Sequence, residues 1–296
     1  MILTYREREL VRRGYDEKTV EKLVSFDMDY AYEVRDIIEN DITENCFPNN
    51  EPVAIYVGGQ PGTGKTTALR AIKKDWEDNN VICIVGLDNY RIYHPNYELM
   101  EKEINDMWKD KSESSIESKG NDIADFTSNF AGIVSDLLIE DLSNKKFNIA
   151  IEWGMRNPNV PLKTMETLKE KGYKNKVEFI VVDKETSKEA CKIRDEVMSK
   201  HDILTRRIPD YFHDDAVNTL PASAEQIYIE GFVNKKFIDE FLLIDRDGNI
   251  LWDSNSKDKL IDTYNYYLNN KNKEIKNNPS LGEISYIEET KKIEAS

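Results

Sequence analysis

Apolar residues recur at steps of three and four through the first stretch of the chain: Val20, Leu23, Val24, Ala31, Val34, Ile37 and Ile38, behind a capping residue at Asp16. That period lays one stripe along a helix, so residues 4–43 read as helical. The pattern breaks at Cys46-Phe-Pro-Asn-Asn-Glu-Pro52, a turn-forming cluster. Beyond it the rhythm changes. Short apolar runs at 53–57, 81–87, 147–151, 177–182 and 241–244 have the length and composition of strands. Amphipathic segments separate them. One carries Ala68, Leu69, Ile72 and Trp76 between Lys65 and about Glu77. Another carries Phe130, Ile133, Val134, Leu137, Leu138 and Leu142, and a third Ala190, Ile193 and Val197. Apolar strands alternating with helices predict a mostly parallel sheet flanked by helices, a three-layer α/β sandwich with a helical N-terminal extension.

The remaining segments read as surface. Residues 109–126 are polar and without clear period, which predicts a loop. Asp245-Arg-Asp-Gly248 lies between two apolar runs and predicts a hairpin turn. The tail beyond Asp253 is rich in Lys, Asn and Glu, with a surface helix expected around Leu260–Leu268. The expected division is a helical segment at 1–50, an α/β domain at 51–253 and a charged, partly helical tail at 254–296.

Composition narrows the function classes. The 296 residues are 39% hydrophobic and 33% charged, enough to bury a core under a charged surface. No run approaches eighteen apolar residues, so no membrane helix is expected. The first residues lack a signal-peptide core, and Cys46, Cys83 and Cys191 form no CxxC pair. Both point to reduced thiols and a cytoplasmic setting. A net charge of −15 with no basic stripe argues against nucleic acid and for a small molecule or a protein partner. His94, His201 and His213 form no metal-binding cluster with the cysteines.

The chemistry starts at Gly59-Gln60-Pro61-Gly62-Thr63-Gly64-Lys65-Thr66, which follows the 53–57 strand and opens the next helix. It matches the phosphate-binding loop G-x-x-x-x-G-K-[ST] in full. Its glycines let backbone N–H groups curl around phosphate oxygens, its lysine reaches the β- and γ-phosphates, and its hydroxyl ligates Mg²⁺. The helix that follows turns its positive end to the anion. Four fixed positions would match by chance in roughly one chain per hundred of this length, before the strand and helix are required. Residues 59–67 are therefore expected to hold ATP, and the fold to be of the P-loop NTPase type. Phosphoryl transfer further needs a group to take the nucleophile's proton and cations on the transferring oxygens. In an open parallel sheet such groups hang from the carboxyl ends of strands. Asp88 and Glu152 occupy two such ends, although by local pattern Asp88 also suits a turn or cap and Glu152 a structural or Mg²⁺-shell acid.

From Pro52 to about Phe212 the chain resembles the zeta toxin family, the kinase half of bacterial toxin–antitoxin pairs. The resemblance rests on Gly58-Gly-Gln-Pro-Gly-Thr-Gly-Lys-Thr-Thr67, on Asp88 followed six residues later by His94-Pro95, and on Phe130-Ala-Gly132. It continues in Ile151-Glu152 leading to Arg156 and Val160-Pro161, and in Arg194 and Arg207, thirteen residues apart. It implies a kinase that moves the ATP γ-phosphate to the sugar 3′-hydroxyl of UDP-N-acetylglucosamine, blocking peptidoglycan synthesis. By that resemblance Asp88 is the general base, Lys65 neutralises phosphate, Arg194 and Arg207 clamp the transferring group, and Thr66 meets Mg²⁺. Asp136, Glu152, Arg156 and Thr164 fall at substrate-binding positions. A small helical antitoxin that blocks the ATP site is the implied partner, and the N-terminal helices are expected either to pack on the core or to act as an inhibitor in cis.

Three departures widen the substrate range to another nucleotide sugar or nucleotide. Asp136 stands where the family has Glu, Glu152-Trp153-Gly154 replaces Glu-Gly-Thr, and Leu87 replaces a polar residue. Trp153 could stack on a base or pack in the core. A regulatory GTPase would need Asn-Lys-x-Asp, but Asn144-Lys145 and Asn234-Lys235 both continue Lys-Phe. A polynucleotide or tRNA kinase is disfavoured by the negative charge.

Overall fold

Helix boundaries in the N-terminal segment follow its caps. In the computed structural model, which describes residues 3–75, 82–110, 116–199, 208 and 210–270, Thr4 and Glu7 form a reciprocal capping box that starts α1 (Tyr5–Arg13). Gly14 ends it in the left-handed region. Asp16 caps α2 (Glu17–Val24), its carboxylate accepting from the Thr19 N–H at 3.0 Å, and Asp27 caps α3 (Met28–Thr43). The apolar stripe of these helices is buried. Leu10, Val20, Leu23 and Val24 pack with Met100, Ile104, Ile123 and Phe126, while Ala31, Val34 and Ile38 join the main core.

Six strands form the sheet: β1 (Val53–Gly58), β2 (Ile82–Gly86), β3 (Asn148–Glu152), β4 (Lys174–Ile180), β5 (Glu240–Ile244) and β6 (Ile250–Asp253). Their order is β2-β3-β1-β4-β5-β6; all neighbours are parallel except β5 and β6, which are antiparallel. The hairpin turn at 245–248 is thus present. Alternation along β1 divides the core in two. Ile55 and Val57 face Leu69 of α4 (Lys65–Asp75), and Ala54 and Tyr56 face the opposite layer. That layer is built from α3, α6 (Ile116–Asn144), α7 (Asn159–Glu170) and α9 (Asp210–Ile227). The result is the P-loop type of three-layer sandwich. Among the described residues no helix is long and apolar enough to cross a membrane.

Two surface expectations need correction. Most of the 109–126 segment is helical: Lys109 and Asp110 form a turn, residues 111–115 lie outside the described ones, and α6 begins at Ile116. Its polar sequence concealed the helix because its buried carboxylate has partners from afar. Asp122 is fully buried, paired with Arg13 and accepting from the Tyr15 hydroxyl at 2.6 Å and the Trp108 indole N–H at 2.8 Å. The second concerns α10 (Leu260–Asn269), which buries Leu260, Tyr264 and Leu268 against the main core instead of lying free on the surface. Trp76 and residues 271–296 lie outside the described residues.

Candidate active site

Strand order places the chemistry. β3 lies between β1 and β2, so the loop after β1, Glu152 at the end of β3 and Asp88 just past β2 open side by side. In the sheet register Glu152 is opposite both Val57 of β1 and Gly86 of β2. The loop itself depends on left-handed glycines. Gly62 has φ +81°, and a Cβ there would come within 2.0 Å of the Ser187 carbonyl oxygen. Gly64 has φ +94° where the chain enters α4. The Lys65 ammonium donates to the carbonyls of Gly59 and Gln60 at 3.1 and 3.2 Å, folding across the loop. Gln60 is buried and donates to the Val182 carbonyl at 2.5 Å.

Around this loop the charges converge. The Thr66 hydroxyl donates to Glu152 Oε2 at 3.2 Å. Burial pushes the Glu152 carboxyl up; Lys65, Thr66 and Arg194 oppose that shift, and Asp88 adds to it. Burial likewise pulls the Lys65 ammonium down, against the attraction of Glu152 and Asp88 and with the repulsion of Arg194. Sheet topology and the Thr66–Glu152 contact bring Lys65, Thr66 and Glu152 together, with Asp88 and Arg194 among the charged groups close enough to shift them. Arg194 lies on α8 (Lys184–Ser199), half-buried, with its Nε 3.7 Å from Asp195 Oδ1. Arg207 lies outside the described residues.

Asp88 sits in a turn of 3-10 helix (Leu87–Tyr93), and 59% of its side chain is exposed. Its orientation comes from Arg91, whose Nε donates to Asp88 Oδ1 at 2.8 Å. The Arg91 guanidinium is buried and also donates to the Ala124 carbonyl at 2.7 Å and the Thr127 hydroxyl at 3.1 Å, so α6 holds the acid through it. The His94-Pro95-Asn96 segment fixes the far end of this turn. Asn96 donates to the carbonyls of Leu23 and Ser25, both at 3.0 Å, and His94 packs against the rings of Phe26 and Phe130.

The positions expected for substrate have different neighbours. Arg156 pairs with Asp215 of α9 and lies over the Phe212 ring at 4.3 Å. Asp136, on the exposed side of α6, has its carboxyl raised by partial burial while Lys163 of α7 draws it down. Thr164, on the same α7, donates back to the Val160 carbonyl at 3.5 Å. Trp153 packs against the core on Tyr56, with ring centroids 6.1 Å apart and planes at 23°. Core packing, not an open base-stacking face, is its observed environment. The sequence reading passed over two arginines: Arg91, and Arg246 of the β5–β6 turn, whose guanidinium donates to the phosphate-loop carbonyls of Gly62 and Thr63.

The sequence profile of the family described as Zeta toxin matches residues 38–257. The chain belongs to the zeta toxin family. Its relatives include Toxin PezT of Streptococcus pneumoniae, 32% identical over 180 residues that make up 60% of this chain and 64% of that protein. Toxin zeta of Streptococcus agalactiae is 28% identical over 214 residues, 72% of this chain and 67% of that one. Toxin zeta of Enterococcus hirae is 29% identical over 204 residues, 69% and 64% respectively. The match to PezT thus spans just under two-thirds of that relative's length. Among solved structures, a chain from the PezAT chromosomal toxin-antitoxin system of the human pathogen Streptococcus pneumoniae superposes with a TM-score of 0.67 at 23% identity. The overlap covers 91% of this chain and 96% of that one, and it establishes a shared fold.

Proposed function

We propose that this zeta family member is an ATP-dependent kinase that phosphorylates the sugar 3′-hydroxyl of UDP-N-acetylglucosamine and so acts as a toxin. The observation that carries the reading is geometric: a complete phosphate loop after β1 with Lys65 folded across it, Thr66 bonded to Glu152 at the end of β3, and Asp88 just past the neighbouring β2. In the proposed reaction the acceptor hydroxyl oxygen attacks the γ-phosphorus, the bond to the β–γ bridging oxygen breaks, and ADP leaves with that electron pair. Asp88 takes the hydroxyl proton, aimed by Arg91. Lys65 exchanges its two loop carbonyls for phosphate oxygens, and Arg194, joined by Arg207, offsets charge spreading over the transferring group.

Mg²⁺ fits the donor set. Thr66 and Glu152 supply one hydroxyl and one carboxylate oxygen 3.2 Å apart, and among the described residues no cluster of three His, Cys, Asp or Glu could hold a metal alone. That suits an ion that takes most of its six oxygens from phosphate and water. When bound, it neutralises phosphate charge. In this reading Glu152 serves the metal side of the site, while Asp136, Arg156 and Thr164 remain the acceptor side. A small helical antitoxin covering the ATP site is the proposed partner. A second reading, another nucleotide sugar as acceptor, is favoured by Trp153-Gly154 standing where the family has Gly-Thr, and by the shorter Asp136.

The deciding experiment incubates the full chain with ATP, Mg²⁺ and a panel of nucleotide sugars, followed by phosphorus NMR. A new phosphomonoester at the sugar 3′ position of UDP-N-acetylglucosamine is expected. Transfer to a different sugar nucleotide would select the second reading, and no transfer to any of them would overturn both.

A further inference from the structure

The β5–β6 turn reaches across the molecule to the phosphate loop. Arg246 Nε donates to the Thr63 carbonyl at 3.3 Å, and a terminal nitrogen of the same guanidinium donates to the Gly62 carbonyl. Its side-chain atoms lie 3.6 Å from where a Cβ on Gly64 would stand, so they cover the loop where it enters α4. The turn that presents this arginine is itself fixed. Asp245 Oδ1 accepts from the backbone N–H groups of Asp247 and Asn249, both at 2.9 Å, and Gly248 takes the left-handed conformation at φ +83°.

A trans peptide points its N–H opposite to its C=O. Holding the Gly62 carbonyl therefore fixes the Thr63 N–H, which donates to the Gln60 carbonyl at 3.4 Å, and holding the Thr63 carbonyl fixes the Gly64 N–H on the side away from Arg246. Two glycines in that stretch leave the loop free to turn its peptide planes over, and a loop whose amides are scattered has no preformed cup for an anion. We infer that Arg246 is a positioning residue for nucleotide binding: its forked guanidinium clamps two adjacent carbonyls and keeps the phosphate loop preorganised. The inference rests on the nucleotide-binding part of the proposed function and is independent of which acceptor is used. A guanidinium suits the task because its donors are fixed in one plane on separate nitrogens, whereas an ammonium gathers rotating donors at one point and holds the two carbonyls less firmly.

The test compares the full chain with Arg246→Ala and Arg246→Lys, measuring ATP affinity by calorimetry, the thermal midpoint without nucleotide, and the acceptor KM. Arg246 is exposed at a turn, so both variants should fold. Losing a charged hydrogen-bonding clamp should weaken ATP binding by about tenfold or more. The nucleotide-free midpoint and the acceptor KM should stay put, and Lys should restore little. Arg246→Ala binding ATP as tightly as the parent would overturn the inference. So would full recovery by Lys, since charge alone would then suffice. A parent chain that binds no ATP would instead sink the nucleotide reading itself.

Discussion

In the proposed reaction Asp88 is the base, and Arg91 is a residue that orients its carboxylate. Replacing Arg91 with Met removes the 2.8 Å contact and leaves the Ala124 carbonyl without this donor. Arg91→Met should lower kcat by about 10- to 100-fold, the scale of losing orientation at one catalytic group. It should leave ATP affinity within a factor of about two and cost about 1–3 kcal/mol of stability through the lost buried hydrogen bonds to the Ala124 carbonyl and the Thr127 hydroxyl. Steady-state kinetics, calorimetry and urea unfolding check the three parts. Asp88 and Glu152 were legible in the sequence because strand ends in a parallel sheet face one crevice. Arg91 and Arg246 were not. An arginine in a charged sequence is usually solvated, and the acceptors that show otherwise are backbone carbonyls 33 and 183 or 184 positions away.

At the scale of elements, periodicity found the helices of residues 4–43 and five of the six strands, because each buries a continuous apolar stripe or face. It missed the start of α6, where Ile123, Ala124 and Phe126 lie in a polar run whose Asp122 and Asp125 are paired with Arg13. The same contacts bear on what the N-terminal helices do. They bury Leu10, Val20, Leu23 and Val24, and the α2–α3 linker receives the Asn96 amide at the end of the turn that carries Asp88. We propose that they support the catalytic turn and do not inhibit it. A protein starting at Asn49 should lose most of its thermal stability or its transfer activity. Circular dichroism and the kinase assay would show it, and a stable, faster truncated enzyme would restore the idea of inhibition in cis.

Over the whole molecule a net charge of −15 coexists with a local concentration of Lys65, Arg194 and Arg246 at the phosphate loop. That contrast suits a small anionic ligand better than a polynucleotide, which needs a basic track. The fold also carries a pH signature. Burial pulls His94 down from 6.5 to about 4 and lowers His213 as well. Folding disfavours the charged form of both imidazoles, so each protonates more readily when unfolded. Their stabilising contribution is therefore full above pH 6.5 and is lost as pH falls toward the folded value, about 4 for His94. For His94 the loss should reach on the order of 3 kcal/mol. Urea unfolding at a series of pH values should show a shallower decline between pH 6.5 and 4 for His94→Gln than for the parent.

The most direct measurement pairs ATP affinity with transfer rate in Asp88→Ala. A base acts only after binding, so ATP should bind within a factor of about two of the parent while transfer falls by about 10³-fold or more. Transfer at a near-parental rate would contradict the assignment of Asp88, and with it the account of this crevice as a site of phosphoryl transfer.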